Sequence, residues 1–121
     1  MIKTSIEKAK NLLNVTYSGR ITPKETEAGL EKLQSVLAKM PPGFRLLTDL
    51  SGLESMELAC APHLERMMDL CNRMGVETVV RIIPDPNKDI GMKIMSLFHY
   101  PRRVRIVTCE TMGEAIRSLE D

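Results

Sequence analysis

The sequence predicts an α/β fold: a mixed, mostly parallel sheet of about five strands with four helices, in the order β-β-α-β-α-β-α-β-α. Three observations carry this. Short runs of aliphatic and β-branched residues recur at 12–18, 44–50, 76–83 and 104–108. Between them, apolar residues return at three- and four-residue spacing, the period of a helix. The junctions are marked by proline, glycine or a helix-capping pattern. Such alternation of strand and helix requires right-handed crossovers and therefore parallel neighbours.

Residues 1–6 alternate weakly and suit an edge strand; 7–11 read as a turn. In 12–18, Leu13, Val15 and Tyr17 point one way and Asn14, Thr16 and Ser18 the other, the period of two of a pleated strand, with Gly19 as its end. A gap this short between the two strands predicts an antiparallel hairpin. Thr22-Pro23-Lys24-Glu25 predicts a helix start: hydroxyl cap, proline at the first position, and a carboxylate that returns the bond. Leu30, Leu33, Leu37 and Met40 line its inner face, and Pro41-Pro42-Gly43 stops it.

The stretch 44–64 organises the chain. It runs as an apolar strand over 44–50, apolar on both faces as a central strand is, and bends at Ser51-Gly52. A helix follows between 57 and 74, with Pro62 in its first turn and Gly75 as its C-terminal cap. Ala61, Leu64, Met67, Met68, Cys71 and Met74 share its inner face. Residues 76–83 form the next strand, and Asp85-Pro86 turns the chain. A helix over 87–98 places Ile90, Ile94, Leu97 and Phe98 inward, and Tyr100-Pro101 ends it. A strand at 104–108 and a second capping pattern, Thr111 to Glu114, lead into the last helix, with Met112, Ala115, Ile116 and Leu119 on one face.

At 121 residues the chain is expected to form one domain, large enough for a core without disulfide or metal. Aromatics are 3% with no tryptophan, so nine methionines fill space that rings fill elsewhere, and base stacking has no platform. The net charge of +1 gives no bulk attraction for nucleic acid or an anionic membrane. There is no apolar run of membrane length, no apolar leader, and no CxxC among Cys60, Cys71 and Cys109, which points to reduced thiols and a cytoplasmic location.

The element order and the phrase LLTDLSGLESMELACAPHL resemble the STAS family, the SpoIIAA-like anti-sigma-factor antagonists. That family shows D-L-S-G-V at a strand end and D-S-S-G opening a helix. Asp49-Leu50-Ser51-Gly52-Leu53 matches the first half. The second half falls on Glu57-Leu58-Ala59-Cys60, with Leu58 and Ala59 at the hydroxyl positions, one of which family members phosphorylate. The resemblance implies a regulatory protein-binding module whose phosphorylation switch is missing, with a kinase-like or sigma-regulating partner. The surface it implies comprises Asp49, Ser51, Gly52, Ser55, Glu57, Cys60 and His63. A shifted alignment offers Ser51 or Ser55 as phosphoacceptor, yet serines at such places more often satisfy turn or cap amides.

Other chemistry has weaker support in the sequence. Asp49 and Glu57 could pair as acid and base, but Asp49 suits the turn at Ser51 and Glu57 the positive end of the following helix. Glu57, Cys60 and His63 align at helical spacing yet are too few for a metal site, and His99 is the one other histidine. Arg102, Arg103 and Arg105 form the densest positive cluster and read mainly as a solvated loop. No nucleotide, hydrolase or zinc-protease motif is present, so neither an enzyme nor a cofactor is expected. The alternative is a carrier or sensor for a small apolar ligand, since SpoIIAA-like folds resemble some lipid-binding domains and the interior is rich in methionine. An exposed first strand makes a homodimer plausible on the same reading.

Overall fold

The computed structural model describes residues 1–83 and 100–120. Its elements are β1 (Ile2–Glu7), β2 (Leu12–Ile21), α1 (Pro23–Leu37), β3 (Arg45–Met56), α2 (Ala61–Arg73), β4 (Thr78–Ile82), β5 (Arg105–Cys109) and α3 (Met112–Glu120). The turn expected at Asp85-Pro86 and the helix expected over 87–98 lie outside the described residues. The strands form one sheet in the order β1-β2-β3-β4-β5. The β1–β2 pair is antiparallel and every later pair is parallel.

Parallel strands laid side by side in chain order, joined by right-handed crossovers, place those crossovers on one face. The packing agrees. Leu13, Val15 and Tyr17 of β2, Leu46 of β3 and Val79 of β4 meet Leu33 and Leu37 of α1 and Leu64, Met67 and Cys71 of α2. The opposite face carries a smaller cluster, Leu12, Leu47, Val80 and Ile82 against Cys109 and Ala115 of the last strand and helix. Each fully buried aliphatic side chain contributes about 1.5–3 kcal/mol relative to leaving it in water.

The helix ends follow the sequence. The Thr22 amide donates to Glu25 Oε2 (2.9 Å) and the Glu25 amide to Thr22 Oγ1 (3.3 Å), a complete capping box. The bond from the Thr22 amide is the main cause holding the Glu25 carboxyl below its ordinary range. At the end of α2, Gly75 takes φ +95°. Its amide donates to Asn72 O (3.2 Å) and the Val76 amide to Cys71 O (3.0 Å), the paired bonds of a Schellman cap. In α3 the box is half made: the Glu114 amide reaches Thr111 Oγ1 (3.2 Å), while the Glu114 carboxylate turns to the Glu110 amide (3.4 Å).

Two expectations need correction. Strand β2 does not stop at Gly19 but passes through it, at φ +72°, to Ile21. Strand β3 does not bend away at Ser51-Gly52; it continues to Met56, because β2 remains alongside to pair with it. Helix α2 occupies Ala61–Arg73, within the expected 57–74 and with Pro62 in its first turn, and a single 3-10 turn at Leu58–Cys60 precedes it. On the face that Met112, Ala115, Ile116 and Leu119 share in the last helix, Ala115 is buried, while Met112 and Ile116 are 42% and 47% exposed.

Candidate functional site

The extension of β3 builds the site. Strand β4 pairs with β3 only as far as Asp49, opposite Ile82. Beyond that point β3 has β2 as its neighbour, through Ser18↔Gly52, Gly19↔Leu53, Arg20↔Ser55 and Ile21↔Met56. The two strands therefore leave the sheet as a ribbon at its carboxyl edge, where ligands and partners of α/β sheets commonly sit. Strand β3 is one residue longer than β2 at each of two steps, Asp49 to Gly52 against Thr16 to Ser18, and Leu53 to Ser55 against Gly19 to Arg20. Such bulges increase twist and re-aim side chains.

Asp49 fixes the first bulge. Its Oδ1 accepts the Ser51 amide (2.9 Å) and the Ser51 hydroxyl (2.7 Å). Ser51 is thus tied within the ribbon, as the local reading of Asp49 expects. Gly52 lies against Ser18, where an added Cβ would come 3.3 Å from the Ser18 Cβ. Ser55 and Glu54 are exposed and Leu53 and Met56 half-buried. The Glu57 amide closes the ribbon on Ile21 O (3.3 Å), and the Cys60 amide returns to Glu57 O (2.9 Å).

This short corner divides its side chains sharply. Cys60 is fully buried, with its thiol 3.8 Å from Ile21 O, so it anchors the corner from inside. Leu58, two residues earlier, is 89% exposed. Glu57 and Ala59 beside it are exposed as well. Leu58 thus presents a large aliphatic side chain almost wholly to water, on a turn held by backbone bonds.

His63 lies one turn into the region. Its Nδ1 is 2.9 Å from Thr26 Oγ1, and that oxygen is 2.8 Å from Pro23 O. Thr26 is fully buried. A threonine has one hydroxyl proton, and a carbonyl can only accept; with the proton on Pro23 O, Thr26 accepts from Nδ1–H. In the neutral ring this leaves Nε2 as an acceptor. The sequence reading singled out His63 but not Thr26, because helices α1 and α2 meet only in the folded chain.

The expected site residues therefore separate. Asp49, Ser51 and Gly52 shape the ribbon; Ser55 and Glu57 line its outer end, joined there by Leu58, which was not among the expected residues; Cys60 lies beneath; His63 is bound to α1. Among the described residues, no group of three His, Cys, Asp or Glu could hold a metal ion. The arginine cluster is partly engaged: Arg103 donates to Asn72 O (3.4 Å) and Oδ1 (3.2 Å) at the end of α2. Arg102 and Arg105 are exposed. Met67 and Met68 are core residues, while Met92 and Met95 fall outside the described residues. Burial pushes the Cys71 thiol up to about 12 and the Tyr17 and Tyr100 hydroxyls upward, so these groups stay neutral.

No protein-family model matches the chain, and no curated protein matches it significantly. Solved structures do. A protein from Shewanella loihica PV-4 with a SpoIIAA-like fold superposes with a TM-score of 0.74 at 18% identity, over 98% of this chain and 92% of that one. An anti-sigma factor antagonist from Mycobacterium paratuberculosis gives 0.63 at 21% identity, over 100% and 96%. The unphosphorylated anti-sigma factor antagonist SpoIIAA gives 0.64 at 15% identity, over 99% and 98%. The chain has the SpoIIAA-like fold. Among the described residues, no helix is long and apolar enough to cross a membrane.

Proposed function

We propose that the chain is a non-enzymatic interaction module that binds a regulatory protein through the end of the β2–β3 ribbon, the Leu58 corner and the start of α2. It does so without a phosphorylation switch. The observation that carries this reading is Leu58, 89% exposed at the corner where the family motif places a hydroxyl. An apolar anchor amid Glu54, Ser55 and Glu57 suits an apolar pocket with a basic rim. Neighbours of the same fold include anti-sigma factor antagonists, and one of them is known in a phosphorylated form, which supports a kinase-like or sigma-regulating partner.

Desolvating one leucine is worth about 1.5–3 kcal/mol, or roughly 10- to 100-fold in affinity. The test is affinity capture from the native cell extract with wild type, Leu58→Asp and Leu58→Ser. Wild type retains a partner that both variants lose or bind at least tenfold more weakly. Equal capture by all three removes the corner from the interface. Incubation with ATP and a kinase that modifies anti-sigma factor antagonists leaves the chain at its unmodified mass. A phosphate found on Ser51 or Ser55 by mass spectrometry overturns the switchless reading.

A further inference from the structure

The space beneath the edge strand is not completely filled, and it is independent of the docking corner. An outer cleft of about 320 Å³ lies between β1 and α1, bounded by Ile2, Thr4, Glu25, Ala28, Gly29 and Lys32. An inner recess of about 40 Å³ lies between the sheet and helices α1 and α2. Ile2, Thr4 and Gly29 border both.

What separates them is slight. A Cβ placed on Gly29 would lie 3.3 Å from Ile2 Cδ1 and 3.3 Å from Met67 Cε. The partition is thus the free ends of two side chains resting on a residue that has none. Methionine ends rotate readily and re-pack. Glycine weakens a helix interior, so its presence in α1 favours close approach over local stability. Beyond its packing, Met67 receives one hydrogen bond, from Tyr17 Oη to its sulfur (3.5 Å), a weak acceptor.

The walls of the recess are mainly apolar, with Val15, Leu33, Leu46 and Leu64 among them, and the buried Arg81 and Thr48 also border it. Its Tyr17, Cys71 and Tyr100 are kept neutral by burial. The mouth differs: Lys32 is exposed there, and the Glu25 carboxylate is engaged by the Thr22 amide (2.9 Å). The outer cleft reaches the lower end of ordinary small-molecule sites, roughly 300–1,000 Å³. The recess alone holds little more than water. These volumes admit one narrow chain and no two-tailed lipid.

We propose that this space binds a single-tailed alkyl carboxylate, the tail passing over Gly29 with Ile2 and Met67 displaced and the carboxylate meeting Lys32 at the mouth. Dodecanoate, used below its micellar concentration, is the probe. Calorimetry on wild type is expected to show saturable one-to-one binding, with methyl NMR shifts at Ile2 and Met67. Gly29→Leu blocks the passage and lowers affinity at least tenfold with the melting temperature retained. Lys32→Gln weakens dodecanoate severalfold but leaves dodecanol unchanged. Absence of saturable binding, unchanged binding by folded Gly29→Leu, or shifts confined to Met112 in α3 overturns the proposal. Should Gly29→Leu fail to fold, the wild-type methyl shifts decide between those outcomes.

Discussion

The hydroxyl of Thr26 joins two helices that the chain separates by 37 positions. It is fully buried and is hydrogen-bonded to both Pro23 O and His63 Nδ1, as a buried polar group requires. Thr26→Val keeps the shape and removes both bonds, leaving the His63 ring nitrogen without its partner. The expected loss is about 1–3 kcal/mol in urea unfolding, while Thr26→Ser stays close to wild type. A loss below a few tenths would mean that solvent replaces the hydroxyl. At this scale the sequence spoke where partners are close in number. Asp49 with Ser51, and Thr22 with Glu25, are separated by two and three positions and their bonds form as read. Thr26 with His63, and the exposure of Leu58, depend on contacts between distant parts of the chain. Local composition carries no sign of them.

Elements show the same division. Gly75 was legible as a cap because a helix that must end needs a left-handed residue, and glycine reaches it without strain. Here the backbone at φ +95° is joined by a close neighbour: an added Cβ would lie 2.9 Å from Pro42 Cβ and 3.2 Å from Pro42 Cα. Gly75→Ala is therefore expected to cost more than 1 kcal/mol in urea unfolding, since conformation and contact both oppose it. A neutral substitution would show that the α2 end and the Pro42 turn shift together at little cost. The ribbon was not legible. Asp, Ser and Gly at 49, 51 and 52 carry ordinary turn chemistry, and alone they would bend the chain. Pairing with β2 as far as Ile21 overrides it, and the bulges absorb the extra residues. The last helix carries Met112, Ala115, Ile116 and Leu119 on one face, and of these Ala115 alone is buried. Periodicity located the stripe but not how much of it the sheet would cover.

Across the whole molecule, the fold class, strand count and parallel sense were legible because alternation of strand and helix leaves few topologies. The pH response also belongs to this scale. Cys71 has an ordinary value near 9 in the unfolded chain and is pushed to about 12 by burial in the fold. Between those values the unfolded chain releases a proton that the folded chain keeps. Stability is thus fully present below about pH 9 and falls as pH rises toward 12, at no more than about 1.4 kcal/mol per unit for this group. Tyr17 and Tyr100, raised in the same direction, steepen the decline at higher pH. Urea unfolding from pH 7 to 11 should show a plateau and then this fall. Cys71→Ala should be less stable at pH 7 yet fall more gently. An equally steep fall in the variant would assign the effect to the tyrosines.

Strands that follow one another in the chain also lie beside one another in the sheet, from β1 through β5. Each new strand emerging from the ribosome consequently finds its template already in place, so the domain can be assembled from one edge to the other during synthesis. A stalled nascent chain ending after β3 should already protect the β1–β2 hairpin amides from exchange, with the later strands added like courses of brick.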